Sequence, residues 1–172
     1  MRPRVLIALV ALLVVVSVGS LQATAGGGER FTGTLSGFEE TPTLSVPGTG
    51  TIRVDLSGNG ETISYRLRYS GLTGPAMFAH IHLGRPAIAG GVIAFLCDSA
   101  DTAPDGVTVP ACPGAGGQVS GTIEASDVIG PAGQGIAAGE FDEFVAALRA
   151  RATYANVHTE AFPPGEIRGR IR

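Results

Sequence analysis

Residues 51–70 read TIRVDLSGNGETISYRLRYS and contain two strand-like runs joined by a turn. Polar and apolar residues alternate along the second run, and the apolar ones are Ile63, Tyr65, Leu67 and Tyr69. A period of two is typical of a strand with one buried face. The Asn59-Gly60 pair between the runs favours a tight turn, so this stretch predicts an antiparallel hairpin.

Further runs of five to nine residues, separated by Gly, Pro, Asn and Asp, continue this pattern over the rest of the chain. They read RFTGTLSG, AMFAHIHLG, GVIAFLC, GQVSGTIEA, TYANVHT and GEIRGRI. GVIAFLC is almost continuously apolar, which predicts a central strand. Arg168, Arg170 and Arg172 alternate along the last run, which predicts a solvated face on an edge strand.

One segment, EFDEFVAALRA at 140–150, has helical periodicity instead. Phe141, Phe144, Val145 and Leu148 form an apolar stripe at i, i+3, i+4 and i+7. About eight short strands and one helix near residues 140–150 predict an all-β fold, either a Greek-key-like β-sandwich or a flattened barrel.

The N-terminal segment, residues 1–25, predicts a signal peptide. Arg2 and Arg4 precede a long apolar run, and ATA at 23–25 offers a small-residue cleavage site. A retained membrane anchor is the alternative, because the run is close to the length that spans a bilayer. Residues 26–30 then form a short tether and residues 31–172 a single domain. The chain is expected to be exported, to the periplasm, the cell surface or the exterior.

The charge balance argues against two classes of partner. All twelve basic residues are arginines, and removal of residues 1–25 leaves ten of them against fifteen acidic residues. A net negative chain without a basic run is a poor ligand for nucleic acid or for an anionic membrane. The expected partner is an unknown protein or envelope component, and the sequence does not fix the oligomeric state.

Cys97 and Cys112 are the two cysteines of the chain. In an exported protein, such a pair predicts one intramolecular disulfide. Metal ligation and redox chemistry are the alternatives, but the long Pro- and Gly-containing gap resembles neither a C-x-x-C motif nor a zinc knuckle.

The three histidines are the candidate site. His80 and His82 in AHIHLG lie on one face of a strand, with Cα atoms about 6.6 Å apart. If His158 in NVHT approaches them, three neutral imidazoles would suit copper or zinc. A structural hydrogen-bonded cluster without metal and a catalytic role are the two alternatives.

Three polar residues are candidates for supporting the histidines. Asn156 shares a strand face with His158, and Glu166 could orient a histidine ring through its second nitrogen. Glu166 and Arg168 could alternatively join the last two strands as a polar pair. No nucleophile elbow, phosphate-binding loop or H-E-x-x-H motif occurs, so no catalytic residue is predicted and the protein is not expected to be an enzyme.

Several separated motifs, in order, resemble the CHRD (chordin) domain family. They are EETP at 39–42, AHIHLG at 79–84, GGVIAFLC at 90–97, YANVHT at 154–159 and PGEIRG at 164–169. The resemblance covers roughly residues 31–172. It implies an extracytoplasmic β-sheet domain without an assigned reaction, found alone in exported bacterial proteins and repeated in chordin. The cysteine-rich modules that bind growth factors in chordin are lacking here, so that activity is not carried over.

The H-x-H strand also resembles, more distantly, the copper-ligand strand of copper/zinc superoxide dismutase. Three histidines cannot fill both metal sites of that enzyme. The sequence therefore predicts a non-enzymatic binding or interaction module of the bacterial envelope or exterior, for which it establishes no cofactor and leaves copper or zinc as candidates. The alternative is a copper- or zinc-binding protein that uses the three histidines. Dismutase-like redox chemistry at that metal is a further possibility under this alternative.

Overall fold

The domain is a single antiparallel β-sheet that is nearly closed into a barrel. A computed structural model describes residues 28–172, so the predicted signal peptide and the start of the tether lie outside the described residues. The eight strands are β1 (Arg30–Ser36), β2 (Thr49–Leu56), β3 (Ile63–Ser70), β4 (Ala76–Leu83), β5 (Val92–Asp98), β6 (Gly117–Ile123), β7 (Thr153–Thr159) and β8 (Ile167–Ile171). Of the two predicted architectures, the structure therefore shows the barrel-like one.

Three 3₁₀ turns and one α-helix complete the secondary structure of the described residues. The turns are Gly37–Glu39, Ala125–Asp127 and Ala132–Gln134, and α1 spans Phe141–Arg149. The predicted stripe of α1 is buried, and the helix lies where the sequence places it. No helix among residues 28–172 is long and apolar enough to cross a membrane.

The sheet has the strand order β5-β4-β7-β8-β1-β2-β3-β6. The two ends of the sheet approach each other. Tyr65 on β3, next to the end strand β6, donates its hydroxyl across the barrel to the carbonyl of Leu96 on the other end strand, β5, at 2.6 Å. Gly121 on β6 makes this possible, since a Cβ there would lie 2.5 Å from the Tyr65 hydroxyl. Glycine inside a strand commonly permits such a close approach.

Two strand predictions are wrong. β5, predicted to be central, lies at an end of the strand order and, among the described strands, pairs with β4 alone, although its residues 93–97 are buried. The segment after β6 covers it, since Ile129 donates its N–H to the carbonyl of Ile93. β8, predicted to be an edge strand, lies between β7 and β1, and Arg168 on it is buried.

The hairpin and the disulfide are confirmed. β2 and β3 pair over their full length, and Gly60 in the turn has a φ of +76°, which glycine adopts without strain. Cys97 and Cys112 are bonded and close the loop that follows β5.

The disulfide is expected to stabilise the domain by restricting the unfolded chain. The double variant Cys97→Ala/Cys112→Ala should lose on the order of 3 kcal/mol of unfolding free energy, the value for a closed loop of about 15 residues. Urea unfolding with and without a reductant measures this loss. A loss below about 1 kcal/mol in the variant, or wild-type stability unaffected by reduction, would contradict this role.

Candidate metal centre

The three histidines lie together on the outer face of the sheet, opposite the barrel core. On β4, Ala79 and Ile81 point into the core and are fully buried, so alternation turns His80 and His82 outward. On β7, His158 is aligned with Phe78 of β4 in the antiparallel register. The structure thus brings His158 to the H-x-H pair, although the two segments are far apart in sequence.

Loops and aromatic rings cover this outer face, so the histidines are buried despite lying outside the barrel. His80, His82 and His158 are 5%, 7% and 6% exposed. The ring of Phe78 lies 4.6 Å from that of His158, and Phe95 meets His80 edge-on at 4.3 Å, centroid to centroid. These contacts restrict the rotation of the imidazoles and keep water away from them.

Ring nitrogens of the three histidines lie close to one another. One nitrogen from each histidine lies within 4.8 Å of the other two. Imidazole nitrogens bound to one ion at about 2.0–2.1 Å would lie roughly 3.5 Å apart. Binding one shared ion would therefore bring ligand atoms that are up to 4.8 Å apart about 1.3 Å closer together.

Two of the imidazoles have their tautomer fixed by the backbone. His82 Nδ1 lies 2.9 Å from the carbonyl of Gly90, and His158 Nδ1 lies 2.7 Å from the carbonyl of Pro163. A carbonyl only accepts, so in the neutral ring Nδ1 carries the proton and donates it. Nε2 of each ring is then a lone-pair acceptor, as a metal ligand requires.

Four nitrogens of the cluster lack a hydrogen-bond partner among the described residues. They are Nε2 of His82, Nε2 of His158 and both ring nitrogens of His80. Most buried side-chain polar atoms in proteins are paired, so four such atoms in one place mark this cluster as the candidate site. A fifth unpaired atom, Asn156 Oδ1, lies beside them on β7, where Asn156 is aligned with His80.

Burial keeps the three rings neutral. Desolvation lowers the pKa of His80 to about 2, with smaller contributions from His158 and His82. Desolvation also lowers the pKa of His158 to about 4, partly offset by its bond to Pro163. Desolvation also lowers the pKa of His82, partly offset by its bond to Gly90 and by the side chain of Asn156. At neutral pH all three lone pairs are therefore free to bind a cation.

A buried ion pair flanks the histidines. Arg168 Nε lies 3.7 Å from Glu40 Oε2 and donates to the carbonyl of Glu39, and its guanidinium lies 4.7 Å from the centre of the Tyr154 ring. Tyr154 in turn stacks on His82 with 4.8 Å between centroids. Arg168 is thus linked to the histidines through an aromatic ring.

Desolvation raises the pKa of Glu40 to about 7, because burial outweighs the attraction of Arg168 at that distance. The sequence indicates no role for Glu40 beyond its place in the EETP motif. Nothing in the sequence signals that a carboxyl between Glu39 and Thr41 is buried. Its partner Arg168 comes from the other end of the chain.

Glu166 does not approach a histidine in the structure. Its carboxylate accepts hydrogen bonds from the N–H and hydroxyl of Thr73 and from the hydroxyl of Thr159. It joins β7 to the loop between β3 and β4. Backbone carbonyls, not a carboxylate, orient the rings of His82 and His158.

This geometry defines a class of protein: a nearly closed antiparallel barrel with a buried cluster of three histidines on its outer face. The family model described as "CHRD domain" matches residues 31–171, and the chain belongs to that family. Comparison with curated proteins and with solved structures found no match.

The cluster predicts that the metal-free protein loses stability in mild acid. His80, His82 and His158 take up protons near pH 6.5 when unfolded but at lower pH when folded, so the unfolding free energy falls as pH decreases below about 6.5. Each histidine contributes up to about 1.4 kcal/mol per pH unit. Glu40 acts in the opposite sense between about pH 4.5 and 7, but three groups outweigh one.

Urea unfolding of metal-free protein between pH 4.5 and pH 7.5 measures this slope. Glu40→Gln removes the opposing group and should make the slope steeper below pH 7, whereas His80→Leu should make it shallower. A wild-type unfolding free energy that is constant or rises as the pH falls through this window would contradict the burial of neutral imidazoles.

Proposed function

We propose that this CHRD domain binds one copper or zinc ion through His80, His82 and His158. The observation that carries the proposal is the convergence of three buried imidazoles whose inward nitrogens have no partner among the described residues. An ion at their centre would pair with one nitrogen of each ring. The proposed ligand atoms of His82 and His158 are their Nε2 nitrogens, so that Nδ1 of each ring can keep its carbonyl partner.

A purely structural role accounts for only part of this arrangement. The hydrogen bonds to Gly90 and Pro163 are the kind that a structural histidine makes. They leave His80 unexplained, because it has no hydrogen bond and its ring is packed among aromatic groups. A leucine or phenylalanine would fill that position without the free-energy cost of burying two unpaired nitrogens.

The ligand set favours copper or zinc over harder cations. Imidazole nitrogen suits both metals, whereas calcium and magnesium bind oxygen. The carboxylate of Glu166 is occupied by threonines, and that of Glu40 faces Arg168 through Oε2, although its Oε1 has no hydrogen-bond partner among the described residues. The cysteines are joined in a disulfide and offer no thiolate. Three neutral ligands also leave the charge of the ion uncompensated, and copper(I) carries the smallest such charge.

We propose a non-enzymatic role in holding or transferring the ion in an exported bacterial protein. The ligand nitrogens without partners have almost no contact with solvent, which favours retention of an ion over turnover of a substrate. A dismutase-like reaction would need an open position on the ion. A second role, interaction with an envelope component, is supported by an arginine-rich face on β1, β2 and β3, which β8 separates from β7 in the strand order.

Metal binding is expected to raise the melting temperature. Protein purified without a histidine tag should take up one equivalent of copper or zinc by elemental analysis. When the free metal concentration is 100 times the dissociation constant, the unfolding free energy increases by about 2.7 kcal/mol. For a chain of this size, this gain raises the melting temperature by roughly 5–10 °C.

Two variants separate ligation from packing. His80→Leu should abolish the metal-dependent shift while the metal-free protein still folds. Phe78→Leu changes a ring packed against His80 and His158 but removes no ligand, so it should lower the metal-free melting temperature and keep the shift. Wild-type protein without bound metal or a shift, or an equal shift in His80→Leu, would overturn the proposal.

A further inference from the structure

A groove lined by arginines and threonines crosses the outer face of the other half of the sheet. It runs over β1, β2 and β3, with Arg172 at one side, and has a volume of about 480 Å³. A second groove of about 330 Å³ adjoins it and shares Thr34, Thr51 and Arg68 with it. Together they form an elongated, shallow surface, here called the arginine groove, defined by Thr32, Thr34, Thr51, Arg53, Arg66, Arg68 and Arg172.

Strand register, not sequence proximity, assembles the charges of the arginine groove. Arg53 on β2 is directly opposite Arg66 on β3, and Arg68 lies two residues further along the same face. Arg172 follows β8 and pairs through its backbone with Thr32 of β1. Like charges directly opposite each other destabilise an antiparallel pair, so the Arg53–Arg66 pair works against the fold.

The chain itself neutralises little of this charge. Arg53 donates to Asp55 at 2.5 Å, but no ion pair joins Arg66, Arg68 or Arg172 to a carboxylate within residues 28–172. Arg68 Nε donates to the neutral amide of Gln118 instead. The whole sequence carries more acidic than basic side chains, so a face with several unpaired guanidinium groups is unlike the rest of the molecule.

The side chains between the arginines indicate the kind of ligand. Each guanidinium can bind a carboxylate through two parallel N–H groups. Thr32, Thr34 and Thr51 are exposed beside them, and a threonine hydroxyl both donates and accepts a hydrogen bond. Sugar hydroxyl groups also donate and accept, whereas phosphate oxygens at neutral pH only accept. Alternating carboxylates and hydroxyls therefore match this surface better than a polyphosphate does.

The shape of the groove favours a chain-like ligand over a small molecule. Neighbouring strands lie about 4.8 Å apart, and residues of one face repeat about every 6.6 Å along a strand. Arg53, Arg66 and Arg68 thus form an open array at short, regular intervals, with no enclosing walls. Among the described residues, no exposed aromatic ring lines the groove on which a nucleic acid base could stack.

We propose that the arginine groove binds a carboxylated polysaccharide, with Arg53, Arg66 and Arg68 on carboxylates and the threonines on sugar hydroxyls. This site is distinct from the histidine cluster and does not depend on the proposed metal. An acidic glycan is a partner that an exported protein can meet at a cell surface. The negative net charge of the chain does not prevent it, because the arginines are concentrated on one face.

Calorimetric titration with oligogalacturonate and its methyl-esterified form tests the proposal. Esterification removes the carboxylate charge and keeps the sugar hydroxyls. The wild-type protein should bind the free acid and bind the ester at least about tenfold more weakly. Binding should also weaken as salt is added, since the charges are exposed.

Arg66→Gln/Arg68→Gln should lower the affinity for oligogalacturonate by at least about tenfold. Its melting temperature should equal or exceed that of the wild type, because the repulsion between Arg53 and Arg66 is gone. Arg85→Gln/Arg151→Gln is the matched control, since it also removes two exposed positive charges, both outside the groove, and should bind normally. His80→Leu should bind normally as well.

Three results would overturn the proposal. They are the absence of binding to oligogalacturonate, equal binding of the esterified form, and tighter binding of inorganic polyphosphate of similar length. The last result would assign the arginine groove to phosphate chemistry. None of them affects the proposal for the histidines, which is tested by metal uptake.

Discussion

The antiparallel register between β4 and β7 is the constraint on which the candidate site depends. It aligns Phe78 with His158 and His80 with Asn156, so that histidines from two distant segments share one patch of the outer face. A shift of one residue would turn every side chain of a strand to the opposite face. His80 and His82 would then enter the barrel, and Ala79 and Ile81 would leave it. The fully buried apolar side chains on the inner face therefore fix the register and, with it, the histidines.

The two outer faces of the sheet differ in character. Over β4, β7 and β8, loops and aromatic rings cover the surface and bury histidines, Glu40 and Arg168. Over β1, β2 and β3, the surface is open and carries unpaired arginines. Burial in the first region keeps the imidazoles neutral, as the proposed ion would require. Exposure in the second keeps guanidinium groups charged and hydrated, which suits a reversible partner. One barrel can thus present two independent binding surfaces.

Local patterns predicted most of the fold and part of the site. Alternation and turn residues located all eight strands and the β2–β3 hairpin, because these depend on neighbours in sequence. They misplaced β5 and β8, since strand order depends on long-range pairing and on the segment that covers β5. The H-x-H spacing indicated the pair, but the approach of His158 was conditional on tertiary structure. Glu40 and the arginine groove had no local signal, because their neighbours come from separate strands.

X-ray absorption spectroscopy of the copper- or zinc-loaded protein tests the central claim most directly. The structure predicts three imidazole nitrogens at about 2.0–2.1 Å from one ion, with the outer-ring scattering that identifies histidine. The spectrum of His80→Leu loaded under the same conditions should lack this signature. A first shell dominated by oxygen, or one with a single imidazole, would place the metal elsewhere and leave the three histidines as a buried cluster without an ion.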